Sequence, residues 1–313
     1  MNARPPKKPR DLVDGVLLID KPVGLSSNDA LIKVKRALNA KKAGHTGTLD
    51  PFATGLLPLC FGEATKFSQD LLEADKTYVT TVHLGVRTDT GDTEGLVLDA
   101  DPALDRDAAT ITMEEIEAVL ARFRGPIAQV PPMYSALKRD GKPLYEYARA
   151  GITLEREARN VVIHKLELVS YEAPMLKLVV TCSKGTYIRV LGQDIGEALG
   201  CGAHLNALRR TQVGPLTMEG MLTLEQLTAH PAPLSLLAPV DALLSSFPAV
   251  HLNAELAKRF LNGQRLALGK EPVAVPAEEG RVRVYLDDKL LGTAQLGEYS
   301  ILAPERLIAF VQP

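Results

Sequence analysis

Cysteine is scarce in this 313-residue sequence, and the three present, Cys60, Cys182 and Cys201, are odd in number and far apart. Their spacing matches no metal-ligand pattern and predicts buried thiols in a reducing cytoplasm. Long apolar runs are missing too. No stretch approaches the roughly 18 residues that a membrane span requires, and the N-terminus lacks an apolar core like that of a signal peptide, so no membrane association is expected. The formal net charge of −2 excludes a chain that is basic all over, although local basic patches depend on how the charges are distributed. There is no internal repeat and no low-complexity segment. No Gly-x-x-x-x-Gly-Lys-Ser/Thr loop, metal cluster or dinucleotide fingerprint occurs. The chemistry is therefore expected to run on side chains and substrate alone, with no cofactor and no metal.

What is present is ordinary globular material, 46% hydrophobic and 24% charged. The length predicts one large domain plus a small one. The most unusual stretch is Gly44-His-Thr-Gly-Thr-Leu-Asp50-Pro-Phe-Ala-Thr-Gly55. Its three glycines, one proline and three threonines cannot form a regular helix or a central strand. Such punctuation holds backbone in special conformations so that one or two side chains can be aimed. Asp50 is the ionised carboxylate of the stretch, and His45 is its imidazole. Pro51 disfavours the helical region for Asp50 and fixes the loop just beyond it. An Asp-Pro turn capping the next element is the plainer alternative.

Along the chain, residues 1–10 read as a flexible basic tail. Gly15 to Asp20 predicts a buried strand, and Ser26 or Ser27 can cap the helix that follows. Ala30, Leu31, Val34, Ala37 and Leu38 form that helix's apolar face. Lys33, Lys35 and Arg36, continued by Lys41 and Lys42, make a basic track running into the glycine loop, suited to a polyanion or simply solvated. Thr65 to Leu72 looks helical. Lys76 to Leu84 alternates as a strand, with Tyr78 near its start. Asp89, Asp92 and Glu94 follow neither aspartic-protease nor EF-hand patterns and read as a polar turn. Thr112 to Glu115 is a capping box, with a helix running to Gly125-Pro126. From Ile127 to Gly151, tyrosines interleave with lysines and arginines, which suits either stacking on bases or packing on the core. Leu176 to Cys182 is a strand leading into a helix through Tyr187. Arg189 sits in the first turn of that helix, where a cation opposes the helix dipole and needs a carboxylate partner. A second capping box spans Thr223 to Gln226. Beyond about Phe247, one short helix (Ala254 to Leu261) and short strands mark a small β-rich C-terminal domain. The residues thus describe an enzyme with one privileged aspartate, a tyrosine and an arginine on other elements. A lone carboxylate argues against ordinary glycosidase chemistry, which uses a pair.

The segment His45-Thr-Gly-Thr-Leu-Asp50-Pro-Phe-Ala-Thr-Gly55 closely resembles the aspartate motif of the TruB family of pseudouridine synthases. The resemblance continues through Gly62 to Lys66, Lys76 to Tyr78, Arg87 to Thr90, Pro132 to Lys138, Cys182 to Arg189, Gly200 to His204 and Leu208 to Arg210, unbroken from about Gly15 to Val213. It implies an α+β fold: a mixed, mainly antiparallel catalytic sheet with flanking helices over 11–246, a thumb-like insertion at about 127–151, and a PUA-like RNA-binding domain over 247–313. It also implies a bacterial tRNA pseudouridine-55 synthase that isomerises the T-loop uridine to pseudouridine. The catalytic residues by position are Asp50 as nucleophile, Tyr78 stacked on the flipped uracil and placed to take part in removing its C5 proton, and Arg189 paired with Asp50. Tyr187 and Leu208 would line the uracil pocket, and His45 would fill the stack vacated by the base. The expected partner is the T arm of tRNA, with the protein a cytoplasmic monomer. The alternatives are a guide-RNA-directed relative, which would carry additional basic extensions, and a tRNA-folding chaperone that needs no turnover.

Overall fold

The structure is a computed structural model that describes residues 9–309. The expected basic tail therefore lies mostly outside the described residues. Within them, Arg10 donates to the carbonyl of Lys35 at 3.3 Å.

The chain opens with β1 (Gly15–Lys21), α1 (Ser27–Ala37), β2 (Ala43–His45) and β3 (Thr54–Phe61). Next come α2 (Ser68–Glu73), β4 (Lys76–Leu84), α3 (Met113–Phe123) and β5 (Gly125–Gln129). A two-strand ribbon, β6 (Lys138–Arg139) and β7 (Lys142–Pro143), precedes α4 (Leu144–Arg149). The first region closes with β8 (Arg159–Glu172), β9 (Met175–Cys182), α5 (Ile188–Ala198), β10 (Ala203–Val213) and α6 (Leu224–Ala229). The last stretch holds β11 (Ala249–Leu252), α7 (Ala254–Leu261), β12 (Leu266–Ala267), β13 (Gly280–Leu286), β14 (Lys289–Gly297) and β15 (Ile301–Leu307).

The large sheet has the order β1-β3-β10-β4-β9-β8-β5, with β2 on the side of β3. Every pairing in it is antiparallel except the short parallel contact of Arg209 and Arg210 with Thr54 and Gly55. The protein is thus α+β with a mainly antiparallel sheet and a β-rich C-terminal part, as the resemblance implies. The β-rich part is a five-stranded sheet, β11-β13-β14-β15-β12, packed on α7 around its own apolar core. A further apolar cluster joins the two sheets, setting Tyr285 and Leu290 against Val16, Leu56 and Phe67. Among the described residues no helix is long and apolar enough to cross a membrane.

Local chemistry explains the main elements. Ser26 accepts from the Asp29 amide at 3.1 Å and caps α1, whereas Ser27 is buried and serves another purpose. Ala30, Leu31, Val34 and Leu38 are buried, but Ala37 is exposed, so the apolar stripe is narrower than its spacing suggests. Thr112 and Glu115 form the expected capping box, as do Thr223 and Gln226. Gly125-Pro126 not only stops α3 but opens the edge strand β5, where proline costs no ladder bond. Helix α5 lies tightly against β10 because Gly196 has no side chain, and a Cβ there would come within 2.5 Å of the Ala203 amide.

Candidate active site

The three neighbouring strands β3, β10 and β4 bring their functional ends together. The glycine loop feeds Thr54 and Gly55 beside Arg209 and Arg210 of β10. Arg210 in turn faces Tyr78 of β4 across the antiparallel ladder. Gly55 has φ +101°, and a Cβ there would run into the Arg210 backbone, so this close approach admits glycine alone.

The loop itself is held from several sides. Buried Ser27 bridges Leu49, accepting from its amide at 2.7 Å and donating to its carbonyl at 3.1 Å. The buried ammonium of Lys21 donates to the carbonyls of Pro22, Leu25 and Pro51 at 3.0, 2.6 and 3.3 Å. Burial pushes its pKa down to about 8, partly countered by the nearby Asp50 charge. The Gly24 amide adds a second bond to the Pro51 carbonyl at 2.8 Å.

Arg189 is 4% exposed and sits where its helix dipole disfavours it, as anticipated. Its Nε donates to Asp50 Oδ2 at 2.9 Å, and its two terminal nitrogens donate to the carbonyls of Thr90 and Tyr134 at 2.7 and 2.6 Å. A second carboxylate, buried Asp92, lies 3.5 Å from the same Nε. The turn around Asp92 was legible only as a polar turn, and its contact with Arg189 carried no sequence signal. Asp92 is in turn fixed by the Thr90 hydroxyl at 2.6 Å. The N-terminus of α5 lacks a side-chain cap. Instead Gln129 clamps the Tyr187 backbone, accepting from its N–H at 3.0 Å and donating to its carbonyl at 3.3 Å.

These groups line a cleft of about 260 Å³ whose walls include Asp50, Tyr78, Tyr187, Arg189, Leu208 and Arg210. Five of the six sequence-designated residues therefore meet at one cleft. The sixth, His45, does not line it. His45 ends β2, and its Nδ1 is buried without a hydrogen-bond partner among the described residues. Burial, with the Arg210 charge as a lesser cause, lowers its pKa and keeps the imidazole neutral. Burial likewise raises the pKa values of Tyr78 and Tyr187. The basic track is less directly connected than its sequence position suggests: Lys33 and Arg36 border a separate groove shared with α6. Chemically, the cleft offers one solvent-reachable carboxylate held by a buried guanidinium, opposite two aromatic rings and a leucine.

Comparison with known proteins agrees with this geometry. Residues 35–188 match the family model described as TruB family pseudouridylate synthase, N-terminal domain. Residues 189–245 match the tRNA pseudouridylate synthase B C-terminal domain, and 248–308 match pseudouridine synthase II TruB, C-terminal. The chain is 65% identical over 308 residues to a Burkholderia mallei protein named tRNA pseudouridine synthase B, covering 97% of this chain and 96% of that one. It is 60% identical over 313 residues to the protein of the same name from Cupriavidus metallidurans, with 97% of each covered. Among solved structures, one described as a Cbf5-Nop10-Gar1 complex superposes with a TM-score of 0.71 at 27% identity, covering 95% of this chain and 85% of that one. This chain belongs to the TruB family of pseudouridylate synthases.

Proposed function

We propose that this protein is a stand-alone tRNA pseudouridine synthase that isomerises the T-loop uridine at position 55, with Asp50 as nucleophile and no cofactor. The observation that carries the reading is the 2.9 Å pair between buried Arg189 and cleft-facing Asp50, set opposite Tyr78 and Leu208. A carboxylate fixed by a guanidinium is held aimed into the cleft, which is what attack on the flipped nucleotide requires. The uracil, once flipped, lies on the Tyr78 ring with Tyr187 and Leu208 at its edges. The N-glycosidic bond breaks, the base turns over within the cleft, and C5 joins C1′ of the same ribose. Tyr78 receives the C5 proton. His45, outside the cleft proper, fills the gap left in the RNA stack.

In this reading residues 11–246 form the catalytic domain and 247–313 a PUA-like RNA-binding domain, docked through the Tyr285 and Leu290 contacts. Segment 127–151 acts as a thumb closing over the tRNA loop. Its cation–ring pairs, Lys142 over Tyr147 at 4.7 Å and Arg149 over Tyr145 at 5.5 Å, keep charge and aromatic surface together where RNA would arrive. The protein works as a monomer in the cytoplasm.

The identities of 60–65% to proteins named as tRNA synthases, against 27% to a protein solved in a Cbf5 complex, favour the guide-free reading. The test is tritium release from C5-labelled uridine in unmodified tRNA transcript with no other RNA present. Release supports it. Tight binding without release points to a tRNA-folding chaperone instead. Release only after a guide RNA is added points to the guide-directed class.

A further inference from the structure

Arg210 heads the largest fully buried side chains, at 1% exposure, and it carries a positive charge. A buried guanidinium ordinarily has a carboxylate partner. Among the described residues Arg210 forms no ion pair with one. Its Nε and one terminal nitrogen donate to the neutral carbonyls of Leu56 and Gly47 at 2.8 and 3.2 Å. Tyr78 is its partner across the ladder, and both side chains line the same cleft. The cation is therefore rigidly held in the cleft wall beside a phenol, with no permanent anion to absorb it.

We propose that Arg210 is a positioning residue that stabilises Tyr78 as its tyrosinate, so that Tyr78 can accept the uracil C5 proton. The inference rests on the reading of Tyr78 given above and adds the group that makes its chemistry feasible. Burial by itself opposes ionisation of a phenol, so a base at this position needs a fixed compensating charge.

The other nearby groups do not supply that charge. The Lys76 ammonium is committed to the carbonyls of Leu71, Leu72 and Ala74 at the end of α2. Cys182 is held as the thiol, its pKa pushed up to about 11, and Asp50 is an anion engaged by Arg189. His45 is neutral for the reason given above.

The step balances without an external reagent other than water. Once C5 is bonded to C1′, the C5–H bond breaks and its proton passes to the Tyr78 oxygen. The released pair forms the C5–C6 double bond, the C6–N1 π pair moves to N1, and N1 takes a proton from water. The phenol then returns its proton to water.

The test uses the full chain and three measurements. Arg210→Lys and Arg210→Gln keep a donor toward the two carbonyls, and their fold is checked by near-ultraviolet circular dichroism. Turnover at saturating tRNA is expected to fall about 100-fold, within the range of general base catalysis, with tRNA affinity unchanged. Substrate bearing deuterium at C5 is expected to show a larger primary isotope effect in these variants, because proton abstraction becomes limiting. Loss of rate with an unaltered isotope effect, or full turnover in the uncharged Arg210→Gln, overturns the inference. Should neither variant fold, 3-fluorotyrosine at Tyr78 in the otherwise native chain decides. A tyrosinate fluorine signal by about pH 9, near the ordinary ionisation range of a phenol, upholds the inference, and a neutral phenol signal there overturns it. Tyr78→Phe separates the two levels. If it turns over normally, the underlying reading of Tyr78 fails, whereas an inactive Tyr78→Phe beside a fully active Arg210→Gln sinks only the role of Arg210.

Discussion

The cleft is bounded by two often-interrupted segments, residues 44–55 and 127–151, that look similar on paper and are built in opposite ways. Both are rich in turn-forming residues. In the first, most anchors come from elsewhere in the chain: Ser27 on Leu49, Lys21 and Gly24 on Pro51, Arg210 on Gly47 and Arg189 on Asp50. Leu49, Phe52 and Ala53 are buried as well. In the second, residues 127–137 still bury Gln129, Pro131 and Ser135, but from 138 to 151 only Leu144 is buried, and the polar contacts there are few and mostly local. The contrast separates two tasks. A nucleophile must be fixed to a fraction of an ångström, whereas a surface that admits and covers a folded RNA must be cheap to displace. Arg189 touches both, since it holds Asp50 with one nitrogen and the Tyr134 carbonyl at the root of the second segment with another.

The largest expected effect lies in the rigid segment. Asp50→Asn keeps the shape of the loop and removes the anion. Turnover is expected to fall below detection while tRNA affinity stays within about tenfold, or roughly 1.4 kcal/mol, because binding draws on many contacts and chemistry on one. Tritium release and filter binding on the same preparation check both halves. Readily measured turnover would reduce Asp50 to an Asp-Pro turn.

Arg189→Ala should break the link between the segments. It leaves Asp92 buried, with the Thr90 hydroxyl and the Glu94 amide as its remaining partners, and frees two carbonyls. A stability loss of about 3 kcal/mol is expected, as for a buried pair stripped of one member. Turnover should fall at the same time, read by a urea midpoint and a single-turnover rate. An unchanged midpoint would show that Arg189 serves catalysis without bracing the two segments.

The rigid segment was legible because its signals are local. Glycine and proline punctuation singled out Asp50, and the misplaced first-turn cation singled out Arg189. The residues that make it rigid were not legible. Lys21 and Gln129 act through backbone carbonyls and amides 30 and 58 positions away, and such contacts leave no pattern in sequence. Strand β10 escaped for a different reason. Asn206, Arg209, Arg210 and Gln212 interrupt its apolar alternation, and two register shifts break its period. With β10 unseen, the alignment of Arg210 with Tyr78 could not be anticipated. Long β8 shows too many exposed positions to betray a strand inside a sheet. Helices with capping boxes were recovered because each box lies within four residues.

A smaller effect, in the opposite direction of function, is expected from the second segment. The double substitution Lys142→Ala with Arg149→Ala removes exposed or half-exposed cations without opening a core. Binding should weaken several-fold at low salt, and the slope of log K against log salt should flatten by about 0.7–0.9 for each phosphate that is no longer neutralised. The urea midpoint and the turnover at saturating tRNA should not move. A shifted midpoint would mean that this segment is braced like the first, and the contrast between them would dissolve.

The smallest effect uses pH to probe the anchoring of the rigid segment alone. Lys21 has its pKa lowered by burial from 10.5 to about 8. Below that value the ammonium is present in folded and unfolded chains alike, and the full cost of burying it is felt. Between about 8 and 10.5 the unfolded chain binds more protons at this position than the folded one, so the contribution of Lys21 to unfolding free energy rises with pH. One group contributes at most about 1.4 kcal/mol per pH unit. Lys76 is depressed to about 8 as well, but it is shared by the parent and a Lys21→Met variant and cancels between them. The parent should therefore gain stability relative to Lys21→Met on passing from pH 7 to beyond 9, measured by paired urea titrations. Turnover should move the other way over the same range. A neutral amine has two protons for the three carbonyls it now serves, so Pro51 or a neighbour loses a bond and Asp50 loses some of its alignment. Stability and activity crossing in opposite senses is the signature of an anchor whose strain is kept for the sake of the site. A flat stability difference would place the rigidity of the loop in Ser27 and Arg210 instead.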